Sequence, residues 1–167
     1  ELFSIPSYGP AAGLDLAYSS TDLATAGSFG FGWRSNLTQS LSFESGFVAW
    51  HRADGGRVPF GQVAGTWTPL AGHFETLTAG TGSDAGRYIV TLKDQTRLVF
   101  EGSGAGRLLR NENRFGKSLT ISWGSGTATQ TDASGRTSTV TFTGSLITSV
   151  LDSAGRTWTF HYNASSE

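Results

Sequence analysis

The feature that most constrains this chain is a self-similar unit of about twenty residues in its C-terminal third. Asp132-Ala133-Ser134-Gly135-Arg136-Thr137 returns as Asp152-Ser153-Ala154-Gly155-Arg156-Thr157, and Asn113-Arg114-Phe115-Gly116-Lys117 is a looser earlier copy. Counting from each glycine, the third, fifth and seventh residues are Leu119, Ile121 and Trp123, then Ser138, Val140 and Phe142, then Trp158, Phe160 and Tyr162. The residues between them are polar: Thr120 and Ser122, Thr139 and Thr141, Thr159 and His161. Alternation with a period of two is that of a half-buried β-strand. The Asx-x-x-Gly before it is turn chemistry, an Asx side chain bonding nearby backbone and a glycine free to take positive φ. Gly106-Arg107-Leu108-Leu109 and Gly144-Ser145-Leu146-Ile147 read as return strands. Each unit is therefore a β-hairpin, too small to be stable alone and dependent on stacking against its neighbours. The middle copy, Gly124-Ser125-Gly126-Thr127-Ala128-Thr129, is expected to form a thin or irregular strand.

Composition agrees. Ser and Thr together are 42 of 167 residues, Gly is 23, and aromatics are 12%, which favours strands and turns over helices. The sequence predicts an all-β chain of consecutive antiparallel hairpins forming a curved, spiralling sheet, a partial shell or open barrel, with no significant helix. Upstream, Arg87 to Leu92 and Leu98 to Phe100 alternate around a polar turn. Asp54-Gly55-Gly56-Arg57 leads into Val58-Pro59-Phe60, where Pro59 suits an edge or bulge better than a central ladder. Leu37 to Phe43 reads as a strand, and Ala64 to Ser83, with its glycines and Pro69, as a loop between hairpins.

A net charge of −1 supplies no excess of cations for a phosphate backbone or an anionic surface, so nucleic acid is not an expected partner. With no cysteine there is no disulfide framework, zinc-thiolate site or thiol nucleophile. No apolar run reaches the length of a membrane-spanning helix. The chain lacks any Met, even at its start, and reads as a piece of a longer one.

The unit best seen from Gly144 to Tyr162, Gly-x-Leu…Asp-x-x-Gly-Arg-Thr-x-x-Phe-x-Tyr, resembles the YD repeats of RHS proteins, a class that includes teneurins and toxin-complex shells. Leu14-Asp15-Leu16-Ala17-Tyr18-Ser19-Ser20, followed by Gly30-Phe31-Gly32-Trp33, resembles the segment preceding such repeats in bacterial RHS proteins. The resemblance divides the chain into an N-terminal RHS-associated β region, residues 1–110, and about three repeats, 111–167, in one structural unit. It implies a secreted or cell-surface wall segment, of bacterial type, of a hollow shell that encloses or displays a C-terminal toxin or effector domain, with further repeats and that cargo as partners in the same chain. Its repeat-signature residues here are Asp132, Gly135, Arg136, Phe142, Asp152, Gly155, Arg156, Phe160 and Tyr162. Three repeats are too few to close a shell, and no proline follows an aspartate, so shell closure and self-cleavage at an Asp-Pro step do not carry over.

No enzymatic site is expected. His51, His73 and His161 lack ligand spacing, so no metal or other cofactor is assigned. Glu44, Asp54, Glu75, Asp84, Asp94 and Glu101 could serve glycoside chemistry only if two converged. There is no Gly-x-Ser-x-Gly elbow, and Gly102 to Gly106 reads as a hairpin loop. The recurring Asp and Arg pairs suit turns better than calcium. Trp123, Trp158 and Tyr162 could stack on a glycan if their face were exposed, which makes an extracellular carbohydrate- or protein-binding module the alternative function. The competing reading places them with Phe142 and Phe160 in the core or shell lining. Asn36 and Asn163 open glycosylation sequons. A cut sheet has open edges, which predicts edge-to-edge pairing of copies, or capping by Ala64 to Ser83 and the termini.

Overall fold

In a computed structural model, residues 3–4, 7–20 and 26–163 are described. The N-terminal part holds three two-stranded ribbons. β1 (Phe3–Ser4) pairs with β2 (Gly13–Leu14); β3 (Leu16–Tyr18) pairs with β6 (Trp33–Ser35); and between these lie β4 (Ala26–Gly27) and β5 (Gly30–Phe31), paired with each other. The rest is one antiparallel sheet of thirteen strands in sequence order. Its first half comprises β7 (Ser40–Glu44), β8 (Phe47–His51), β9 (Arg57–Val63), β10 (Thr66–Pro69), β11 (Thr76–Ala79), β12 (Arg87–Thr91) and β13 (Arg97–Glu101). The second comprises β14 (Leu108–Glu112), β15 (Ser118–Gly124), β16 (Thr127–Thr131), β17 (Thr137–Thr143), β18 (Leu146–Leu151) and β19 (Thr157–Thr159). Among the described residues helix is confined to one 3₁₀ turn, Gly82–Asp84. The all-β hairpin ladder expected from the repeat is what the chain forms, and the sheet is not closed into a barrel.

The sheet does curl. The Leu41 N–H of β7 donates to Gly106 O at 2.8 Å, and Ser40 bridges to Arg107, so the first strand meets the loop before β14. One apolar cluster fills the concave side, from Leu41, Trp50 and Phe60 through Val90, Leu98 and Phe100 to Val140, Ile147 and Val150. Leu14, Phe29 and Leu37 of the N-terminal part belong to the same cluster. The ribbons are thus packing elements of the core: the Gly13 N–H donates to Oε1 of the buried Gln130, and the Ile147 N–H to Ser28 O. The sheet crosses residue 110 without interruption, since β14 runs from Leu108 to Glu112.

Four local expectations need correction. The segment from Ala64 to Ser83 is no loop: it supplies β10 and β11 in the middle of the sheet, where Trp67 lies opposite both Gln62 and Leu77. Its glycines make turns instead, Ala64 and Gly65 taking φ of 48° and 81° in a two-residue hairpin turn of the kind whose twist matches the strands. It therefore caps neither edge. The strand expected to be thin, β16, pairs with both neighbours along its whole length, and its two buried residues sit in register, Ala128 between Trp123 and Val140 and Gln130 between Ile121 and Ser138. Pro59 sits in the interior strand β9. The Leu70 N–H donates to Pro59 O at 3.4 Å, so the side of Pro59 that lacks an N–H faces β10 just where that strand ends. Finally, β7 begins at Ser40, because Asn36 to Thr38 form a turn held by Ser35 and Thr38.

Candidate functional site

The repeat is anchored by five turns of one geometry at one end of the sheet: residues 52–56, 92–96, 113–117, 132–136 and 152–156. In each, the first residue's N–H donates to the fifth residue's carbonyl, and the fourth residue's N–H donates back to the first's carbonyl. The fourth residue is left-handed every time: Gly55, Gln95, Gly116, Gly135 and Gly155, with φ between 69° and 85°. Where the first residue is Asx, its Oδ1 accepts from the N–H of both the third and fifth residues, as in Asn113, Asp132 and Asp152. Where it is Arg52 or Leu92, an aspartate at the third position takes over: Gly56 N–H donates to Asp54 Oδ1 at 2.9 Å, and Thr96 N–H to Asp94 Oδ1 at 3.0 Å. Sequence comparison finds only the last three turns, since the carboxylate changes place in the first two. Searching for Asx at either of two positions would have found all five.

Asp132 and Asp152 are fully buried at the side chain, and each carboxylate is completed by its own arginine. Arg136 Nη2 lies 2.7 Å from Asp132 Oδ2, and Arg156 Nη2 lies 2.6 Å from Asp152 Oδ2. Burial opposes ionisation at both. At Asp132 the backbone N–H groups of Arg136 and Ser134 and the Arg136 guanidinium outweigh it; at Asp152 those of Arg156 and Ala154 do the same, and both carboxyls titrate below the usual range. The two arginines thus serve hairpin closure. Arg156 also lies 5.5 Å from the Trp158 ring centroid.

The aromatic signature residues line the concave side. Trp123 is half-buried, donates from Nε1 to Leu108 O at 2.8 Å, and lies 6.0 Å from the Phe142 ring. Phe160 meets Phe29 edge-on at 5.1 Å. Tyr162 donates its hydroxyl to Ile147 O at 2.5 Å, and burial pushes its pKa up. Trp158 is half-buried and packs on the same cluster. Trp123 and Trp158 pack against the core cluster, and Tyr162 reaches the N-terminal part through its hydroxyl, 3.4 Å from Ser28 O. More exposed aromatics lie elsewhere: Tyr8, Phe74 and Phe115 are the most exposed, and Tyr18, Phe31 and Trp33 of the ribbons form a group, with Tyr18 and Trp33 rings 5.2 Å apart.

Over β12 to β14 the convex face differs from the threonine-rich surface that the repeats suggest. Registration places Arg87 opposite Glu101, Ile89 opposite Val99 opposite Arg110, and Arg97 opposite Glu112 on that face. Asp84, in the 3₁₀ turn, pairs with Arg87 at 3.0 Å and Arg110 at 2.6 Å; Arg110 reaches Glu112 at 3.3 Å, and Glu112 pairs with Arg97 at 2.7 Å. This chain of charges lies over two buried residues, Ile89 and Val99. Hydrogen bonds from Arg110 above all, and from Arg87, hold the Asp84 carboxyl below its usual range.

The candidate catalytic groups lie apart. Among the described residues no group of three or more His, Cys, Asp or Glu comes together. His51 Nε2 lies 3.0 Å from Ser42 Oγ, His73 Nδ1 lies 3.6 Å from Glu75, and His161 is exposed. Of the six carboxylates, Glu44 engages Arg57, Asp54 Arg52, Asp84 its two arginines, Asp94 the Thr96 N–H, Glu101 Arg107, and Glu75 the Phe74 N–H. Asn36 uses its amide to hold Gly13 O and the Asp15 N–H. The sequon at Asn163 continues into Ala164 and Ser165, outside the described residues. No helix among the described residues is long and apolar enough to cross a membrane.

A family model described as a domain of unknown function (DUF6531) matches residues 2–60, which take in the ribbons and the first strands of the large sheet. No curated protein matches the chain.

Proposed function

We propose that this chain is a non-enzymatic wall segment of an RHS-type shell, on a secreted or cell-surface protein, whose role is to enclose or display a C-terminal toxin or effector domain. The observation that carries this reading is the hairpin ladder itself: thirteen strands in sequence order, with five turns of one geometry along one end. An array of that kind grows by adding hairpins, each burying the face of the one before. β19 offers a place to add the next, since it pairs with β18 on one side and with no strand on the other among the described residues. The match at residues 2–60 is compatible with this reading and carries no activity with it. The test is to read the gene beyond Glu167 and to digest the full-length protein with protease. Further units of about twenty residues, followed by an unrelated domain that resists protease until the β-wall is opened, are expected. A readily cleaved C-terminal region, or no further units, overturns the proposal.

A second reading, an adhesion module for glycans or a protein, draws on Tyr18, Phe31 and Trp33, each of which is more exposed than any aromatic of the concave row. A glycan panel titrated against the wild type, Trp33→Ala and Trp158→Ala separates the readings. Specific binding lost in a variant that stays folded favours adhesion.

A further inference from the structure

The end of the sheet that carries the five turns also carries the barest apolar side chains. Among the described residues, five large apolar side chains are more than 60% exposed, and four of them stand at this end. Leu70 and Phe74 lie in the connection from β10 to β11, and Phe115 is the third residue of the 113–117 turn. Tyr8 joins them because its neighbour Gly9 packs on Lys117, where an added Cβ would lie 2.6 Å from the lysine Cβ. The fifth, Val63, closes β9 at the opposite end.

The cations sort the same way. The arginines of β9, β12, β13 and β14 are paired with carboxylates, as are those of the 52–56, 132–136 and 152–156 turns. Lys93, Arg114 and Lys117, on the two neighbouring turns 92–96 and 113–117, have no carboxylate within ion-pair distance among the described residues. Two of them lie against the bare rings instead, Lys93 Nζ 5.3 Å from the Phe74 centroid and Arg114 Cζ 4.7 Å from that of Phe115. The carboxylates beside them turn back on their own backbone, Asp94 accepting from the Thr96 N–H and Glu75 from the Phe74 N–H. A net charge near zero over the whole chain thus leaves a cationic end. From Phe74 to Phe115 the row crosses four strand spacings, roughly 20 Å along the sheet.

A ring with a cation beside it is amphipathic over a few ångströms: the ring suits the boundary of the acyl chains, and the cation suits the phosphate level above it. Separate tips with one ring each do not make the contiguous, closely packed centre of a protein interface. They suit a surface into which each ring can sink on its own. The three cations set the sign of that surface, since each Lys or Arg held near an anionic leaflet adds to the attraction.

We propose that this end of the sheet docks on an anionic lipid surface, with Tyr8, Leu70, Phe74 and Phe115 entering the headgroup region while Lys93, Arg114 and Lys117 meet the lipid phosphates. The surface is separate from the aromatics of the ribbons and independent of any shell role. The protein is sedimented with vesicles of phosphatidylcholine alone and with vesicles of phosphatidylcholine and phosphatidylglycerol in equal parts. The mixed vesicles should carry it down, the neutral ones should not, and added salt should release it. Phe115→Ala and Lys117→Gln, each checked for an unchanged thermal transition, should weaken binding about fivefold or more. Val63→Ser, which removes a comparably bare side chain at the opposite end, should bind as the wild type does. No sedimentation with the mixed vesicles at low salt overturns the proposal. So does binding that is unchanged when Phe74 and Phe115 are both replaced by Ala, because charge alone would then hold the protein to the vesicle. Equal losses in Val63→Ser and Phe115→Ala overturn it as well. Self-association without lipid that disappears in Phe115→Ala would assign these tips to a second copy of the chain instead.

Discussion

Arg110 of β14 grips Asp84 across the convex face with two nitrogens, Nη2 to Oδ2 at 2.6 Å and Nη1 to Oδ1 at 3.1 Å, reaching over β13 and β12 to a turn 26 residues earlier in the chain. Arg87 adds a third bond to the same carboxylate at 3.0 Å. Fork-to-carboxylate geometry of this kind is strong, and Asp84 is buried, so the pair resists water better than an exposed one. Replacing Arg110 by Leu leaves the carboxylate with Arg87 alone. The expected cost is about 3 kcal/mol, read from urea unfolding. Adding Asp84→Asn should recover a good part of it, and a single variant as stable as the wild type would show the network to be ornamental.

The closure of the curl depends on Gly106. Its φ is +56°, and a Cβ there would lie 2.0 Å from Leu41 O, a backbone atom that cannot swing away. Gly106→Ala should therefore open the contact between β7 and the loop before β14. Amide exchange localises the effect: Leu41, which donates to Gly106, should lose protection more than the amides of β16 and β17. Uniform change across the sheet would contradict this.

Gln95 occupies the left-handed position that glycine fills in the other four turns, at φ of 69°. A side chain there is strained. Gln95→Gly should stabilise the protein by about 0.5–1 kcal/mol, relief of strain outweighing the added freedom of the unfolded chain. Thermal unfolding measures it, and a lower transition temperature would mean that the Gln95 side chain contributes more than its strain removes.

Acid should unfold this protein in a defined direction. Asp84, Asp132, Asp152 and Glu101 all titrate below their ordinary values in the fold. Between the folded and unfolded values the unfolded chain binds protons that the folded one does not. Their contribution is fully present above the ordinary carboxylate range and is lost as pH falls through the depressed folded values, from about pH 5 downward. The transition temperature at about pH 3 should lie well below that at about pH 6. Asp132→Asn should flatten part of this slope, because the neutral amide no longer titrates.

Asp132→Ala tests the turn itself. It removes the acceptor of the Ser134 and Arg136 N–H groups and leaves Arg136 without its carboxylate, for an expected loss of about 1–3 kcal/mol. Asp132→Asn keeps the Oδ1 acceptor and should lose less. Equal losses would assign the stabilisation to charge alone.

β15, β17 and β19 were legible because the residues after each turn glycine alternate strictly and a turn marks each start. Ala64 to Ser83 was not: its apolar positions are few, Trp67 and Leu77 being the inward residues of β10 and β11, and its glycines look like loop glycines until two-residue turns claim them. β12 to β14 hid their charged face for a related reason. Arg87, Arg97 and Glu112 read as solvated positions, and only cross-strand register puts them beside Arg110 and Asp84. Nothing along the chain signals that Phe74 and Lys93, 19 positions apart, meet at one end of the sheet.

By itself the sequence determined the local grammar of this protein: a period of two that makes strands, and Asx and glycine at spacings that make hairpins. These depend on neighbours within five or six residues, whose backbone chemistry is fixed wherever they sit. Only the tertiary structure decided which faces meet. The curl that brings Leu41 to Gly106, the docking of Leu14, Phe29 and Leu37 into the concave side, and the span from Asp84 to Arg110 arise from burial of apolar surface, which has no direction of its own. Their partners follow from shape, and shape appears only when the whole sheet has closed on its core.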